Sequence, residues 1–446
     1  MIRFSVQAFG RTVSAIVVLV TIAPAVITSS RTLPPVQDSA PAAGKPAPSL
    51  VAVLRENRHD LTFSGGTLEG PGAAFLESEG RAAQFTLIGE DHGIADIPEF
   101  TAALFKRLVP AGYHYMVVET GPLSGSRIES MASSKDADAA FAAFNHKYPF
   151  ALPFFSWREE VAMITGTRAA AGRVPLHVWA VDQEFVLSSA VHFERLVEIA
   201  PSPAARTVAT ELLDRTRTEL ARIVESKNPT IAFLVSATAA DFDRLDSSFR
   251  ARPGSEAARI LRELRLSWEI YAKNVAGQHV ASNLQRSRLM KEHFMDCYLG
   301  AQLREKAPPR AVFKLGAFHT KRGRSFGNVF DIGNLASEIA DSNGSRSFHI
   351  LVVAADGYQN GYLPFSESLK DKQKPIDAVG SFDFMDLKPV LEAAAPSGWS
   401  VIDLRPLRSL IAGRKLTGVE RGLEDAIWGY DAVVVFHGAR AATLFE

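Results

Sequence analysis

Residues 84–93 read Gln-Phe-Thr-Leu-Ile-Gly-Glu-Asp-His-Gly, and this stretch decides the fold. The run Gln84–Gly89 is short and apolar with turn residues behind it, which favours a buried strand over a helix. Downstream, Ile97–Val109 carries apolar residues at helical spacing with Pro98 in its first turn, and Tyr115–Glu119 is again strand-like. A strand, helix, strand order predicts two parallel strands joined by a right-handed crossover.

The same alternation continues along the chain, so we expect an α/β fold. Its core is predicted to be a central, mostly parallel mixed sheet covered by helices. The seven candidate strands are Gln84–Gly89, Tyr115–Glu119, Leu176–Val181, Ala311–Leu315, His349–Ala354, Ser400–Asp403 and Ala432–Phe436.

One long segment departs from the alternation. Residues 191–308 show apolar side chains three and four apart throughout, which predicts a large helical insertion between strands that covers the site end of the sheet. The 446 residues exceed the usual size of one domain, so one α/β domain over residues 50–446 with this insertion, or two domains, are both open.

The N-terminus differs from the rest of the chain. Arg3 and Arg11 precede an uncharged, largely apolar run, Thr12–Ser30, and Ala23-Pro24-Ala25 offers a cleavage site. Residues 1–30 are therefore expected to be a signal peptide or an N-terminal membrane anchor, and residues 31–49, rich in Pro, Ala and Ser, a flexible spacer. We accordingly expect an exported protein, periplasmic or secreted, with membrane association through the N-terminus as an alternative.

The balance of charged residues limits the classes of partner that we expect. Acidic and basic residues are equal in number, 49 each, so there is no bias towards polyanions and no nucleic-acid partner is expected. The expected partner is a small-molecule or peptide substrate. Cys297 is the only cysteine, so no intramolecular disulfide forms.

Polar residues follow four of the candidate strands. Glu90 and His92 follow the first strand, Glu119 ends the second, Asp182 follows the third and His319 follows the fourth. Carboxyl ends of parallel strands meet at one sheet edge, so we expect Glu90, His92, Glu119 and His319 to converge in one crevice. Because these residues begin loops, we also expect that replacing Glu90 or His319 removes activity without unfolding the protein.

These stretches resemble the superfamily of erythromycin esterases and ChaN-like (haem-binding uptake, Tiki) proteins. Leu87–Gly93 resembles its G-E-x-x-H or G-E-x-H opening, Val117–Glu119 its second-strand glutamate, and Gly316–His319 its G-x-x-H. Arg286–Met290 and Ile332–Leu335 resemble the R-x-x-x-M and G-x-x-L segments of the esterases. The resemblance spans roughly residues 70–440 and implies this superfamily's fold for residues 50–446. One residue separates Glu90 from His92, and Ser287 stands where the esterases usually carry an acid, which argues against a macrolide substrate.

Two chemistries are open for these residues. In one, His92 or His319 acts as general base on water, oriented by Glu90 or Glu119, as erythromycin esterases are thought to work without a metal. In the other, Glu90, His92, Glu119 and His319 bind a divalent metal that activates water, as in Tiki-type proteases. Either way the expected function is a hydrolase of an ester, lactone or amide. The alternative is a ChaN-like haem- or metal-binding uptake protein without catalysis, with His92 or His319 as axial ligand.

Three further features are candidate parts of the functional site. Arg286 and Arg288 lie two apart on a helix, so only one can face the crevice, and the resemblance favours Arg286 as binder of a carboxylate or oxyanion. Asp182 either orients a catalytic histidine or caps the next helix. The loop Lys321–Arg324 is either an anion-binding loop or, more simply, a solvated one. No G-x-S-x-G, Walker or G-x-G-x-x-G motif occurs.

Overall fold

All seven predicted strands are present in the structure, a computed structural model that describes residues 48–172, 174–361 and 373–445. The predicted signal or anchor and all but the last two residues of the predicted spacer lie outside these ranges. The strands are β1 Arg58–Ser64, β2 Thr67–Glu69, β3 Phe85–Glu90, β4 Tyr113–Val118, β5 His177–Ala180, β6 Arg310–Gly316, β7 Ser347–Ala354, β8 Tyr358–Asn360, β9 Gln373–Pro375, β10 Trp399–Asp403 and β11 Ala432–Phe436.

Helices occupy most of the chain between the strands. They are α1 Leu50–Glu56, α2 Gly70–Ala82, α3 Asp96–Leu108, α4 Pro122–Ala132, α5 Ala137–Lys147, α6 Arg158–Ala171, α7 Ser189–Glu198, α8 Pro203–Ser226, α9 Phe233–Ser236, α10 Ala239–Phe249, α11 Glu256–Val275, α12 His279–Glu305, α13 Ala317–Thr320, α14 Ile332–Ser342, α15 Ala378–Ser381, α16 Lys388–Ala393, α17 Arg405–Ala412 and α18 Arg421–Gly429. Within the described ranges, none of these helices is long and apolar enough to span a membrane.

The sheet is mixed but mostly parallel, as predicted. In the described part of the chain it has nine strands in the order β2-β1-β10-β11-β7-β3-β6-β4-β5. The six strands from β11 to β5 are mutually parallel, and β10, β1 and β2 extend the sheet in antiparallel fashion. Strand β6 returns from the helical insertion to lie between β3 and β4, which brings their carboxyl ends together.

Strand β3 shows why the sheet is buried on both faces. Every residue from Phe85 to Glu90 is buried. Alternate side chains point to opposite faces of a strand, so Ile88 packs into the core with α3 while Phe85 and Leu87 pack with α12 and α14. Helix α12 therefore lies across the second face, with its N-terminal half near the ends of β3, β4 and β6.

The predicted helical insertion is present between β5 and β6, formed by α7 to α12. It has an apolar core of its own, which includes Phe193, Phe233, Leu245 and Leu264. Strands β1, β2, β8 and β9 were not predicted. In β1 only Leu61 is buried, and β2, β8 and β9 have three residues each, so little apolar pattern marks them.

Candidate functional site

A pocket of about 360 Å³ opens at the carboxyl edge of the parallel strands. Glu90, His92, Glu119 and His319 all line it, so the structure places the four predicted residues together. Arg286 and Asn283 of α12 form one wall. The remaining lining residues are Asp91, Gly316, Ala317, Phe318, Ser325, Gly327, Val329, Asp331, Ser381 and Phe382.

Glu90 and His92 form a pair at the end of β3. His92 Nδ1 lies 2.8 Å from Glu90 Oε1, and the imidazole ring packs on Phe154 with ring centroids 4.3 Å apart. Burial opposes a charge on His92, but the hydrogen bond to Glu90 and the nearby Glu119 raise the pKa of His92 above its ordinary value. An ionised Glu90 can only accept, so Nδ1 carries the proton and Nε2 faces Glu119, with 3.8 Å between Nε2 and Oε2.

Two residues missed by the sequence analysis stand behind this pair. Lys314, in the middle of β6, places Nζ 2.6 Å from Glu90 Oε1 and 2.6 Å from Glu160 Oε1 of α6. Burial opposes ionisation of Glu90, but the charge of Lys314 and the bond with His92 lower its pKa. Burial and the neighbouring Glu90 raise the pKa of Glu160. The charge of Lys314 thus keeps Glu90 ionised. Of the two carboxylates that contact Lys314, Glu160 is the one that binds a proton more easily.

This network corrects one expectation from the sequence. Glu90 is not a loop residue that can be replaced without loss of stability, because it is the counter-ion of Lys314, whose side chain is only 3% exposed. Removing Glu90 would leave Lys314 buried with Glu160 alone, and breaking a buried ion pair costs about 3–5 kcal/mol. Loss of Glu90 is therefore expected to reduce the stability of the protein, which the sequence analysis did not foresee.

Glu119, directly after β4, lies at the centre of the site. Its Oε2 accepts a 2.7 Å hydrogen bond from the backbone N–H of Gly316, and its Oε1 accepts a 2.8 Å bond from Arg286. His92 and His319 both direct Nε2 at it, the latter at 3.5 Å. Burial opposes ionisation, but the charges of His319, His92 and Arg286 hold the pKa of Glu119 well below its ordinary value. Glu119 is therefore an ionised anchor rather than a proton donor.

His319 is oriented by Asp331, a third residue that the sequence analysis missed. The bond between His319 Nδ1 and Asp331 Oδ2 is 2.8 Å, and the other carboxylate oxygen of Asp331 accepts from the N–H of Ile332 at the start of α14. Burial opposes a charge, but Glu119 and Asp331 raise the pKa of His319 to about 10. At neutral pH His319 is an imidazolium that can donate from Nε2.

Both predictions for Asp182, that it orients a catalytic histidine or caps the next helix, are wrong. Its carboxylate neither touches a histidine of the pocket nor caps a helix, but receives a two-pronged bond from Arg286. Nε lies 2.8 Å from Oδ1 and Nη2 lies 2.6 Å from Oδ2. A bidentate pair fixes a guanidinium in plane, so Asp182 and Glu119 together hold Arg286 in the pocket wall. Within the described residues, Nη1 of Arg286 has no hydrogen-bond partner.

Arg286, and not Arg288, faces the pocket, as expected from the sequence. Arg288 lines a different groove on the other side of α12. Ser287, where the esterases usually carry an acid, donates to the carbonyl of Phe330 and so ties α12 to the loop before α14.

The basic loop after His319 is solvated at Arg324, which is exposed, but its other two cations, Lys321 and Arg322, are engaged by the protein. Lys321 is only 4% exposed and donates from Nζ to the carbonyl of Arg324. Arg322 forms an ion pair with Asp431 at 2.6 Å. These cations are occupied in fixing the loop against α18 and β7, because each has a protein acceptor within reach.

The site residues do not form a ligand set for a divalent metal. In the ranges 48–172, 174–361 and 373–445, no group of three or more His, Cys, Asp or Glu has the geometry to hold one. Three of the four carboxylate oxygens that a metal could use already accept from a cation or an amide: Glu90 Oε1 from Lys314, Glu119 Oε1 from Arg286 and Glu119 Oε2 from the N–H of Gly316. The residues therefore do not fit the metal-binding role in this arrangement.

Comparison with known proteins gives a match of fold. No family model matches the chain, and no curated protein matches it. Among solved structures, a mutant of the erythromycin esterase EreC in its open conformation is similar, with a TM-score of 0.54, 15% identity, and coverage of 84% of this chain and 95% of that one. A succinoglycan biosynthesis protein (TM-score 0.54, 12% identity) and a Bacillus cereus protein (TM-score 0.51, 14% identity) each match over 89% of this chain and 98% of their own.

Proposed function

The chain has the erythromycin esterase fold, and from this premise we propose that it is a hydrolase that activates water at its Glu90–His92 pair to cleave an ester, lactone or amide. The observation that carries the proposal is the short contact between His92 Nδ1 and Glu90 Oε1, from which the tautomer of His92 follows because an ionised carboxylate can only accept. Glu90 holds the proton on Nδ1 at 2.8 Å, which leaves Nε2 as the basic nitrogen in a pocket wide enough for a small substrate.

The other residues of the pocket supply the complementary roles. His92 takes a proton from water as the water attacks the carbonyl carbon, and the charge that forms on His92 is stabilised by Glu90 and Glu119. The negative charge that develops on the carbonyl oxygen is met by the His319 imidazolium and by Nη1 of Arg286. His319 donates its proton to the leaving oxygen or nitrogen, and the proton that His92 took from water is released and replaced on His319, so both imidazoles regain their starting states. Asp182 and Asp331 are positioning residues, because they act through Arg286 and His319.

We propose that this chemistry needs no metal. Lys314 and Arg286 already neutralise the carboxylates, which supports an acid–base mechanism over a metal-activated water. The haem alternative, with His92 or His319 as axial ligand, has less support: both imidazoles face an ionised carboxylate in a small, charged pocket. Export to the periplasm or medium remains a proposal that rests on the N-terminal sequence.

The test is hydrolysis of a panel of esters, lactones and amides by the purified protein with and without EDTA. For the best substrate, His92→Asn is expected to lower turnover by about 10²–10⁴-fold, the usual contribution of a general base. His146→Asn is the matched control, because His146 is exposed on α5 and does not line the pocket. Loss of activity in EDTA that added metal restores would contradict the metal-free mechanism, and full activity of His92→Asn would contradict the site.

A further inference from the structure

The turn between α11 and α12 carries an unusual apolar surface. Every residue from 274 to 281 is exposed. Val275 is 58% exposed, Val280 62% and, one turn later, Leu284 51%. Single exposed aliphatic residues are ordinary, but three within ten positions form a patch of the kind that marks a contact surface.

The same stretch has no acidic residue. From Ile270 to Lys291 the sequence contains no Asp or Glu, whereas Lys273 and Arg288 flank the aliphatic residues. Val280, Leu284 and Arg288 are four residues apart, so they share one face of α12. We call Lys273, Val275, Val280, Leu284 and Arg288 the tip surface.

A groove of about 970 Å³ between α10, α11 and α12 begins at the tip surface. Five cationic residues line it, Arg250, Arg262, Arg265, Lys273 and Arg288, against two carboxylates, Asp246 and Glu292. Its remaining walls are largely leucine and alanine. Arg262 and Arg265 are paired with carboxylates, whereas Arg250, Lys273 and Arg288 have no ion-pair partner among the described residues, so the apolar tip continues into a cleft that keeps three unpaired cations.

We propose that the tip surface docks on an anionic lipid bilayer. Aliphatic side chains with a cationic border are what an interfacial surface needs, because the apolar groups enter the headgroup boundary while Lys and Arg meet anionic headgroups. An acidic protein would need charge but not three exposed aliphatic side chains, and a second copy would bring two positive surfaces together. Docking on an anionic bilayer accounts for both the exposed aliphatic side chains and the cationic residues beside them.

Docking would also place the candidate active site near the bilayer. Helix α12 carries Val280, Leu284 and Arg288 of the tip surface on one face and presents Asn283 and Arg286 to the pocket from another. The docking proposal itself does not depend on the hydrolase proposal, since lipid binding is measured without a substrate.

The first experiment is sedimentation of the full chain with phosphatidylcholine vesicles and with vesicles containing about 30% phosphatidylglycerol, an anionic lipid. The triple variant Val275→Ser, Val280→Ser, Leu284→Ser should bind the anionic vesicles at least about tenfold more weakly than the parent. Leu303→Ser is the matched control, because Leu303 is 81% exposed near the other end of α12. Equal binding by the triple variant and the control would overturn the proposal.

The charge contribution is tested with a second pair of variants. Lys273→Gln with Arg288→Gln should weaken binding to anionic vesicles and remove its salt dependence, whereas Arg206→Gln with Arg222→Gln, on exposed positions of α8, should change neither. The same loss in both pairs would show a nonspecific charge effect and contradict the proposal.

A local readout separates the tip surface from any contribution of the N-terminus. A polarity-sensitive dye is attached to Val275→Cys in a Cys297→Ser background, with Leu303→Cys as the control site and circular dichroism to confirm folding. Anionic vesicles should shift the emission to shorter wavelength at position 275 only. No shift at 275 overturns the proposal, as does a shift that appears on raising the protein concentration without vesicles, which would identify a second copy as the occupant.

Discussion

Replacing Lys314 with methionine should destabilise the protein because it breaks a buried charge network. Lys314 Nζ lies 2.6 Å from one oxygen each of Glu90 and Glu160, and the three side chains are 3–5% exposed. Methionine keeps the unbranched shape of the stem, so little cavity forms. Removing one member of a buried pair costs about 3–5 kcal/mol. Burial and Glu90 already raise the pKa of Glu160, so Glu160 can take a proton and relieve part of the repulsion. We therefore expect the free energy of unfolding to fall by about 3 kcal/mol, near the lower end of that range.

The assay is urea-induced unfolding followed by circular dichroism. Lys415→Met is the matched control, because Lys415 is exposed and its replacement should change the free energy of unfolding by less than about 0.5 kcal/mol. Adding Glu160→Leu to Lys314→Met should recover about 1–2 kcal/mol, since one stranded carboxylate is replaced by an apolar side chain. If Lys314→Met unfolds at the same urea concentration as the parent, the buried network contributes no stability and the reasoning is refuted.

Three further outcomes follow from the geometry of the site. Turnover should rise as the pH passes the raised pKa of His92, where the base becomes neutral, and fall near pH 10, where His319 loses its proton; a pH profile without an alkaline limb would contradict the acid role of His319. Asp331→Asn keeps the hydrogen bond to the Ile332 N–H but removes the charge that raises the pKa of His319, so the alkaline limb should move to lower pH while thermal stability stays close to that of the parent. Gly316→Ala should abolish turnover, because its Cβ would lie 2.9 Å from His92 Nε2, whereas Gly166→Ala, with nothing within 4 Å, should not; equal activity of the two would place the reaction elsewhere.

The fold could be predicted where burial on both faces leaves a continuous apolar run. Strands β3, β6, β7 and β11 have this pattern, and the helices between them have clear apolar faces. Strands β1 and β2 could not be predicted, because they lie at the antiparallel edge of the sheet and bury few side chains. Their pairing depends on β10, far away in the sequence, and no local pattern encodes that contact.

From the sequence pattern alone, the candidate site could be predicted where a residue lies at or just after the carboxyl end of a strand. Glu90 ends β3, Glu119 follows β4 and His319 lies three residues after β6, and the sheet order brings these strands side by side. Asp331 lies in an irregular loop 12 residues after His319, and Glu160 lies in the first turn of α6, so neither position is tied to the sheet edge by a local rule.

Lys314 did carry a signal in the sequence. It is the only charged residue in the run Ala311–Gly316, and a lysine inside a strand that is buried on both faces must have a buried counter-ion. The counter-ions had to come from outside β6, and the neighbouring strand β3 offers only Glu90 at the matching end. That inference would have shown that Glu90 serves stability as well as chemistry. The two roles are linked through one oxygen atom, Oε1, which accepts from both Lys314 and His92, so a change in the buried ion pair must alter the basicity of the imidazole in the pocket.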